Sequence, residues 1–319
     1  MSKIAFIFPG QGAQKAGMGK GFYDTYEEAK ELYELASKWL DLDMKQLCFE
    51  ENEQLHQTEY TQCALVTTSL AMMRVLLNRG IKPDVAAGLS LGEYCALVAA
   101  GIMSEEDAIK LVRKRGIFME HEVPKGVGAM AAVLGMEAEQ IDAVLSSLED
   151  SFKEDVQIAN YNCPGQIVIS GKKEAVDKAC ALLKEKGARR CLPLNVSGPF
   201  HSNLLVGAGE KLRNELEHIS LNKQMIPYTT NVTGNYVTNI SGSDETGVSV
   251  KKLLTEQVYS SVRWQQCMET MIADGVDTFI EIGPGKTLTG FLKKIDKSVT
   301  TYNIETPQDL DAIVEKLNQ

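Results

Sequence analysis

Apolar positions along this chain fall into short unbroken runs separated by stretches of helical spacing. Residues 4–8 (IAFIF) form a five-residue apolar run, long enough for a buried strand and too short for a helix. Residues 60–80 are apolar around most of a helical circumference and close on Gly80, which predicts a largely buried helix. A short strand follows at 85–90, then a helix at 91–101 and another at 104–123, opened by Ser104 and Asp107 in capping-box spacing. Strands alternating with helices in this way predict an α/β fold on a parallel sheet.

The middle of the chain changes rhythm. It reads strand 127–135, helix 137–148, strands 156–162 and 166–171, helix 173–187 and strand 188–196. This βαββαβ order is that of a ferredoxin-like unit, expected as a compact subdomain inserted at 126–196. The α/β pattern then resumes with a strand at 227–234, a helical stretch at 249–275, a strand at 278–283 and a helix at 287–295. Residues 1–125 and 197–319 are therefore expected to form one core around the insertion.

Composition narrows the classes. Among 319 residues, 44% are hydrophobic and 24% charged, ordinary for a globular protein of two domains or one large domain with an insertion. Lysine and arginine number 33 against 43 acids, a net −10 that argues against nucleic acid; an acidic partner would need a local basic patch. No run approaches the ~20 apolar residues of a membrane helix, and the apolar stretch at 4–8 is too short for a signal peptide. Seven cysteines, scattered and without a CxxC pair, read as reduced thiols of a cytoplasmic protein. Four histidines with no HxxxH or Cys/His cluster make a metal site unexpected.

The candidate chemistry begins at GLSLG (88–92), a G-x-S-x-G nucleophile elbow set between strand and helix, where the amide of Leu91 could meet an oxyanion. The alternative for Ser90 is an N-cap in a glycine-rich loop. A serine needs a base. His56, His121 and His218 lie in polar stretches, whereas His201 follows Ser-Gly-Pro-Phe at the exit from the subdomain, a rigid loop suited to face a cleft or to a structural role. On helix 104–123, Arg115 falls on the apolar stripe of Ala108, Leu111, Val112, Phe118 and Met119. A buried guanidinium needs an anion, which could be a structural carboxylate or a substrate carboxylate; otherwise its stem snorkels out. The loop FPGQGAQKAGMG fails the GxGxxG spacing and contains no P-loop, which disfavours a dinucleotide-dependent oxidoreductase. If its strand neighbours that of Ser90, it can supply backbone N–H groups there.

Taken together, PGQGAQ (9–14), TQCAL (61–65), GLSLGEYCALV (88–98), LVRKRG (111–116), IANYNCPGQIVISG (158–171), VSGPFHS (196–202), QVYSSVRW (257–264) and EIGPG (281–285) resemble the malonyl-CoA:acyl-carrier-protein transacylase family over nearly the whole chain. The resemblance implies a parallel-sheet, α/β-hydrolase-like core with the inserted ferredoxin-like subdomain. It implies Ser90 as nucleophile, His201 as general base and acid, and backbone amides of Gln11 and Leu91 as the oxyanion hole. Arg115 would bind the malonyl carboxylate, and the carbonyl of Gln257 would orient His201. Asn160 and Asn162 would face the cleft, and Phe200 would crowd an α-methyl group. It further implies malonyl-CoA as donor, acyl carrier protein with its phosphopantetheine thiol as acceptor, and no permanently bound cofactor. Lys186, Arg189, Arg190 and Lys286 are candidates for the basic patch that an acidic carrier requires.

Two departures stand out: Leu89 replaces the histidine common before the nucleophile, and Cys63 replaces a frequent proline. Among other readings, an α/β-hydrolase would carry its histidine late, and none lies in the last hundred residues here; no HGGG loop occurs either. A thioesterase using the same Ser90 and His201, and a scaffold that only binds carrier protein, remain as alternatives.

Overall fold

The computed structural model describes residues 2–237 and 250–317. Among these, ten strands form two sheets. The first contains β1 (Ile4–Phe8), β2 (Val85–Gly88), β7 (Tyr228–Thr229), β8 (Tyr236–Val237), β9 (Thr278–Ile282) and β10 (Thr300–Ile304), in the order β10-β9-β1-β2-β7-β8. All neighbours pair in parallel except the β7–β8 hairpin. The second sheet contains β3 (Gly128–Leu134), β4 (Val156–Cys163), β5 (Gln166–Lys172) and β6 (Arg190–Pro193), in the order β4-β5-β3-β6 and antiparallel throughout.

The pleat of β1 shows how sequence makes the layers. Phe6 and Phe8 bury into a cluster with the Thr58–Asn78 helix, while Ala5 and Ile7 face a second cluster with Trp264 and Met268. A central strand covered on both faces must be apolar at every position, which is why IAFIF does not alternate. The smaller sheet has its own core, including Val133, Ile141, Ile158, Ile169 and Leu183.

Several expected elements change bounds. The first long helix runs Thr58–Asn78, with Gly80 in a left-handed conformation beyond it. The expected strand 85–90 ends at Gly88, and the next helix spans Gly92–Ala99, leaving Leu89–Leu91 as the turn. The helix after it spans Glu105–His121, with the Ser104 hydroxyl accepting from the Asp107 amide at 3.0 Å. The strand expected at 188–196 is only Arg190–Pro193, and that at 227–234 only Tyr228–Thr229.

The stretch 249–275 is not one helix; its first residue lies outside the described residues. It breaks into Val250–Gln257 and Trp264–Ala273. The break is held by pairing with β4: the Val262 amide donates to Ala159 O at 2.8 Å and the Tyr161 amide to Val262 O at 2.9 Å. Tertiary hydrogen bonding overrides helical propensity there. Helices at Lys20–Thr25, Glu27–Leu40, Met44–Phe49, Asp150–Lys153 and Pro307–Leu317 add to the elements expected from pattern, and the helical segment between His201 and His218 is Val206–Glu217. No described helix is long and apolar enough to cross a membrane.

Candidate active site

β1 and β2 are neighbours, with Phe8 opposite Gly88, so their carboxyl ends bring the Pro9–Gly12 loop against the serine turn. Crevices beyond the strand ends of parallel sheets collect ligands. Ser90 has φ +51°, a strained value for a side chain with a Cβ and the signature of an elbow. The flanking glycines are steric necessities. A Cβ on Gly88 would stand 1.8 Å from the Gly92 carbonyl carbon, and one on Gly92 would stand 2.2 Å from the Phe8 oxygen. Asn231 staples the turn: its Oδ1 accepts from the Ser90 amide at 2.6 Å, and its Nδ2 donates to Gly88 O at 2.8 Å.

Ser90 Oγ lies 2.7 Å from His201 Nε2, and His201 Nδ1 lies 2.8 Å from the Gln257 carbonyl oxygen. A carbonyl only accepts, so Nδ1 carries the proton and Nε2 presents its lone pair to the serine hydroxyl. The imidazole is buried, and burial, reinforced by the nearby Arg115 cation, pushes its pKa down to about 3. It is therefore neutral, the form a base requires. The loop carrying it is clamped by Gln157, whose Nε2 donates to His201 O at 3.1 Å and whose Oε1 accepts from the Asn203 amide at 3.1 Å.

Arg115 is 1% exposed and, among the described residues, has no carboxylate as a hydrogen-bond partner. Nη1 donates to Gln62 Oε1 at 2.9 Å, and Nη2 donates to Gln257 Oε1 at 3.0 Å and to Ser90 Oγ at 3.1 Å. Among the described residues its Nε has no hydrogen-bond partner, and the guanidinium carbon stands 5.6 Å from the Tyr94 ring centre. A desolvated cation whose direct hydrogen-bond acceptors are neutral, with the Glu93 carboxyl acting on it only from farther off and one arm at the serine oxygen, is arranged to receive an anion.

These groups border a cavity of about 250 Å³ that Gln11, Leu91, Asn160 and Phe200 also line. The backbone amides of Gln11 and Leu91 donate no hydrogen bond among the described residues. The Gln11 side chain anchors its loop, donating to Thr58 Oγ1 at 3.1 Å, with Ser197 Oγ 2.6 Å beyond. Asn162 is on the same wall. Gln257 is buried behind the cavity and reaches it through Arg115, His201 and the Ser90 backbone. Leu89 lines the cavity and packs beside Gly10, with an apolar cluster at its back. Cys63 is buried, its thiol directed at Tyr60 O. Lys186, Arg189, Arg190 and Lys286 are exposed, and none lines the cavity, although Thr287 and Leu288 next to Lys286 do. His56, His121 and His218 lie away from it. Among the described residues, no group of three or more His, Cys, Asp or Glu is positioned to hold a metal ion.

Gln62, Glu93, Gln157 and Asn231 belong to this network and had no role in the sequence reading. Glu93 is wholly buried, its Oε2 accepting from Gln257 Nε2 at 2.7 Å and from the Asn231 amide at 3.1 Å. Burial raises its pKa to about 7, against the pull of those donors and of Arg115.

Residues 5–308 match the family model described as acyl transferase domain. The chain is 45% identical to a malonyl CoA-acyl carrier protein transacylase of Bacillus subtilis (strain 168), over all of this chain and 98% of the relative. Among solved structures, a malonyl CoA-acyl carrier protein transacylase from Clostridium perfringens superposes with a TM-score of 0.93 at 45% identity, covering 99% of this chain and 98% of that one. A malonyl-transacylase in complex with a holo type II PKS acyl-carrier protein superposes with a TM-score of 0.92 at 36% identity, covering 99% and 100%.

Proposed function

The chain belongs to the acyl transferase family, among its malonyl-CoA:acyl-carrier-protein transacylases, and we propose that Ser90 and His201 carry a malonyl group between the two thiols through a serine ester. The supporting observation is a single atom with two partners: Ser90 Oγ is 2.7 Å from the base nitrogen and 3.1 Å from the guanidinium. One contact activates the oxygen, and the other sits where a donor's carboxylate would lie once its carbonyl reaches that oxygen.

In the first half-reaction, His201 Nε2 takes the hydroxyl proton as Ser90 Oγ attacks the thioester carbonyl of malonyl-CoA. The amides of Gln11 and Leu91 receive the oxyanion. Collapse breaks the C–S bond, and the CoA sulfur leaves with the proton from His201. In the second, the phosphopantetheine thiol of acyl carrier protein gives its proton to His201 and attacks the ester carbonyl, and Ser90 departs with that proton. The enzyme thus supplies malonyl groups for carrier-protein chemistry such as fatty acid synthesis. Arg115 holds the carboxylate in both steps. No step asks for a resident cofactor. Exchange of labelled CoA into malonyl-CoA without any carrier protein tests the scheme: it should proceed in the native enzyme and vanish in Ser90→Ala. Free malonate accumulating instead would favour a thioesterase.

The architecture is read as a hydrolase-like core, 1–125 and 197–319, with a ferredoxin-like subdomain at 126–196; the antiparallel order β4-β5-β3-β6 supports this. For docking, Lys186, Arg189, Arg190 and Lys286 are read as the basic surface that meets the acidic carrier, supported by their exposure and lack of ion pairs among the described residues. Arg190→Glu should raise the KM for carrier protein several-fold and leave CoA exchange unchanged; equal effects on both would exclude that role. Reduced thiols, all seven being free, support a cytoplasmic setting.

A further inference from the structure

Glu93 stands three residues after the nucleophile, inside the helix Gly92–Ala99, with no exposed surface. Burying a carboxylate costs several kcal/mol unless its surroundings compensate, and here the hydrogen bonds from Gln257 and the Asn231 amide both fall on Oε2, with Thr230 the further hydroxyl near the carboxylate. A leucine would fill such a site at less cost, so the carboxylate must contribute something other than packing. The two hydrogen bonds that Oε2 accepts come from residues that themselves hold a reacting group.

Gln257 is the more informative of the two. Its Nε2 donates to Glu93 Oε2 at 2.7 Å and to Ser90 O at 2.9 Å, while its Oε1 accepts from Arg115 Nη2 at 3.0 Å. Both groups facing Nε2 accept, and the guanidinium only donates. The side-chain amide therefore has one sensible orientation, and Glu93 is the strongest acceptor enforcing it. Without that acceptor the amide can flip, setting NH₂ against guanidinium and pushing Arg115 off the cavity. Asn231 supplies the second connection: its amide donates to Glu93 at 3.1 Å while its side chain accepts from the Ser90 amide at 2.6 Å.

We propose that Glu93 is a positioning residue that fixes the Gln257 amide and the Asn231 backbone, and through them aligns the Arg115 clamp with Ser90. The proposal rests on the transacylase reading of the site. Because the clamp serves only donors with a carboxylate, loss of Glu93 should erode selectivity as well as rate.

The test is the single-turnover acylation rate with malonyl-CoA and acetyl-CoA, followed by intact-protein mass spectrometry. Native enzyme, Ser90→Ala, Glu93→Leu and Glu93→Gln would be compared, with near-ultraviolet circular dichroism confirming packing. Glu93→Leu should lower the malonyl-to-acetyl rate ratio at least tenfold. Glu93→Gln, whose oxygen can still face Gln257, should lower it about threefold. In a Gln257→Met background neither change should move the ratio further, because the remaining Asn231 link acts on Ser90 and so on both donors alike. A folded Glu93→Leu with an unchanged ratio, both rates falling by one factor, would reduce Glu93 to a structural role and overturn the proposal. If Glu93→Leu does not fold, the Glu93→Gln comparison in the two backgrounds decides: an unchanged ratio in the native background, or an equal drop in both, overturns it. Failure of the native enzyme to acylate at all would instead refute the transacylase reading.

Discussion

Replacing Arg115 by methionine separates recognition of the acyl group from activation of the serine. The guanidinium is almost wholly buried, so an ion pair formed on it with a donor carboxylate would be desolvated. Removing one partner of a buried pair costs about 3–5 kcal/mol, because the remaining charge is stranded. At ~1.4 kcal/mol per tenfold, malonyl transfer to Ser90 should fall by roughly two to three and a half orders of magnitude. An acetyl donor has no such charge. It loses only the alignment that the Nη2–Ser90 Oγ bond provides, a hydrogen bond worth about 1 kcal/mol. Opposing that loss, Arg115 is the second cause holding the His201 pKa down, and its removal makes the base stronger. Acetyl acylation should therefore change less than tenfold. Bound malonate neutralises the same cation, so part of the malonyl advantage belongs in the acylation rate constant and not in KM alone. Quench-flow acylation across donor concentrations, read by intact mass, resolves the two. Equal losses for malonyl and acetyl donors would refute the clamp.

Phe200 is nearly buried on the cavity wall, and Phe200→Ser should open room for an α-methyl group. The expected gain is about 1–3 kcal/mol, tenfold or more in the methylmalonyl-to-malonyl kcat/KM ratio, measured by competition. Gly92→Ala should reduce stability by about 1–3 kcal/mol or more in urea denaturation and abolish acylation, since the new Cβ meets Phe8 O at 2.2 Å and Pro9 O at 2.9 Å. His201 couples stability to pH. Its folded pKa of about 3 lies below the ordinary 6.5, so the unfolded chain takes the proton first, and stability present above pH 6.5 is lost as pH falls toward 3. Glu93, with its pKa raised to about 7, works in the opposite sense, losing its contribution as pH rises from 4.5 to 7. Comparison with His201→Gln cancels the Glu93 term: between pH 7 and pH 4 the native enzyme should lose about 3 kcal/mol more than the variant.

Much of the site was legible because its residues break local rules. Ser90 sits between glycines at a strand end, His201 follows a rigid Gly-Pro loop, and Arg115 interrupts an apolar stripe. Glu93, Asn231 and Gln157 break none. An acid in the first turn of a helix is ordinary, and Glu93 becomes exceptional only through partners 138 and 164 positions away. The same holds for the interrupted helix. The apolar spacing of 249–275 is continuous, and only the pairing of Val262 with β4 shows why it must end at Gln257, freeing the carbonyl that orients His201. Strand β10 (TTYNI) is an edge strand with few apolar residues, so its pattern carries little signal. The Glu27–Leu40 helix buries Ala29, Leu32, Tyr33 and Ala36, a helical stripe diluted by its small and polar members.

The most direct test of the account is to trap the acyl-enzyme and then discharge it. Native protein incubated briefly with malonyl-CoA should gain one malonyl group, mapped by peptide mass spectrometry to Ser90, and lose it when holo acyl carrier protein is added as that protein becomes malonylated. Malonylated carrier appearing with no acyl-enzyme in the native protein, or in Ser90→Ala at the native rate, would mean direct transfer between thiols and would contradict the serine-ester mechanism.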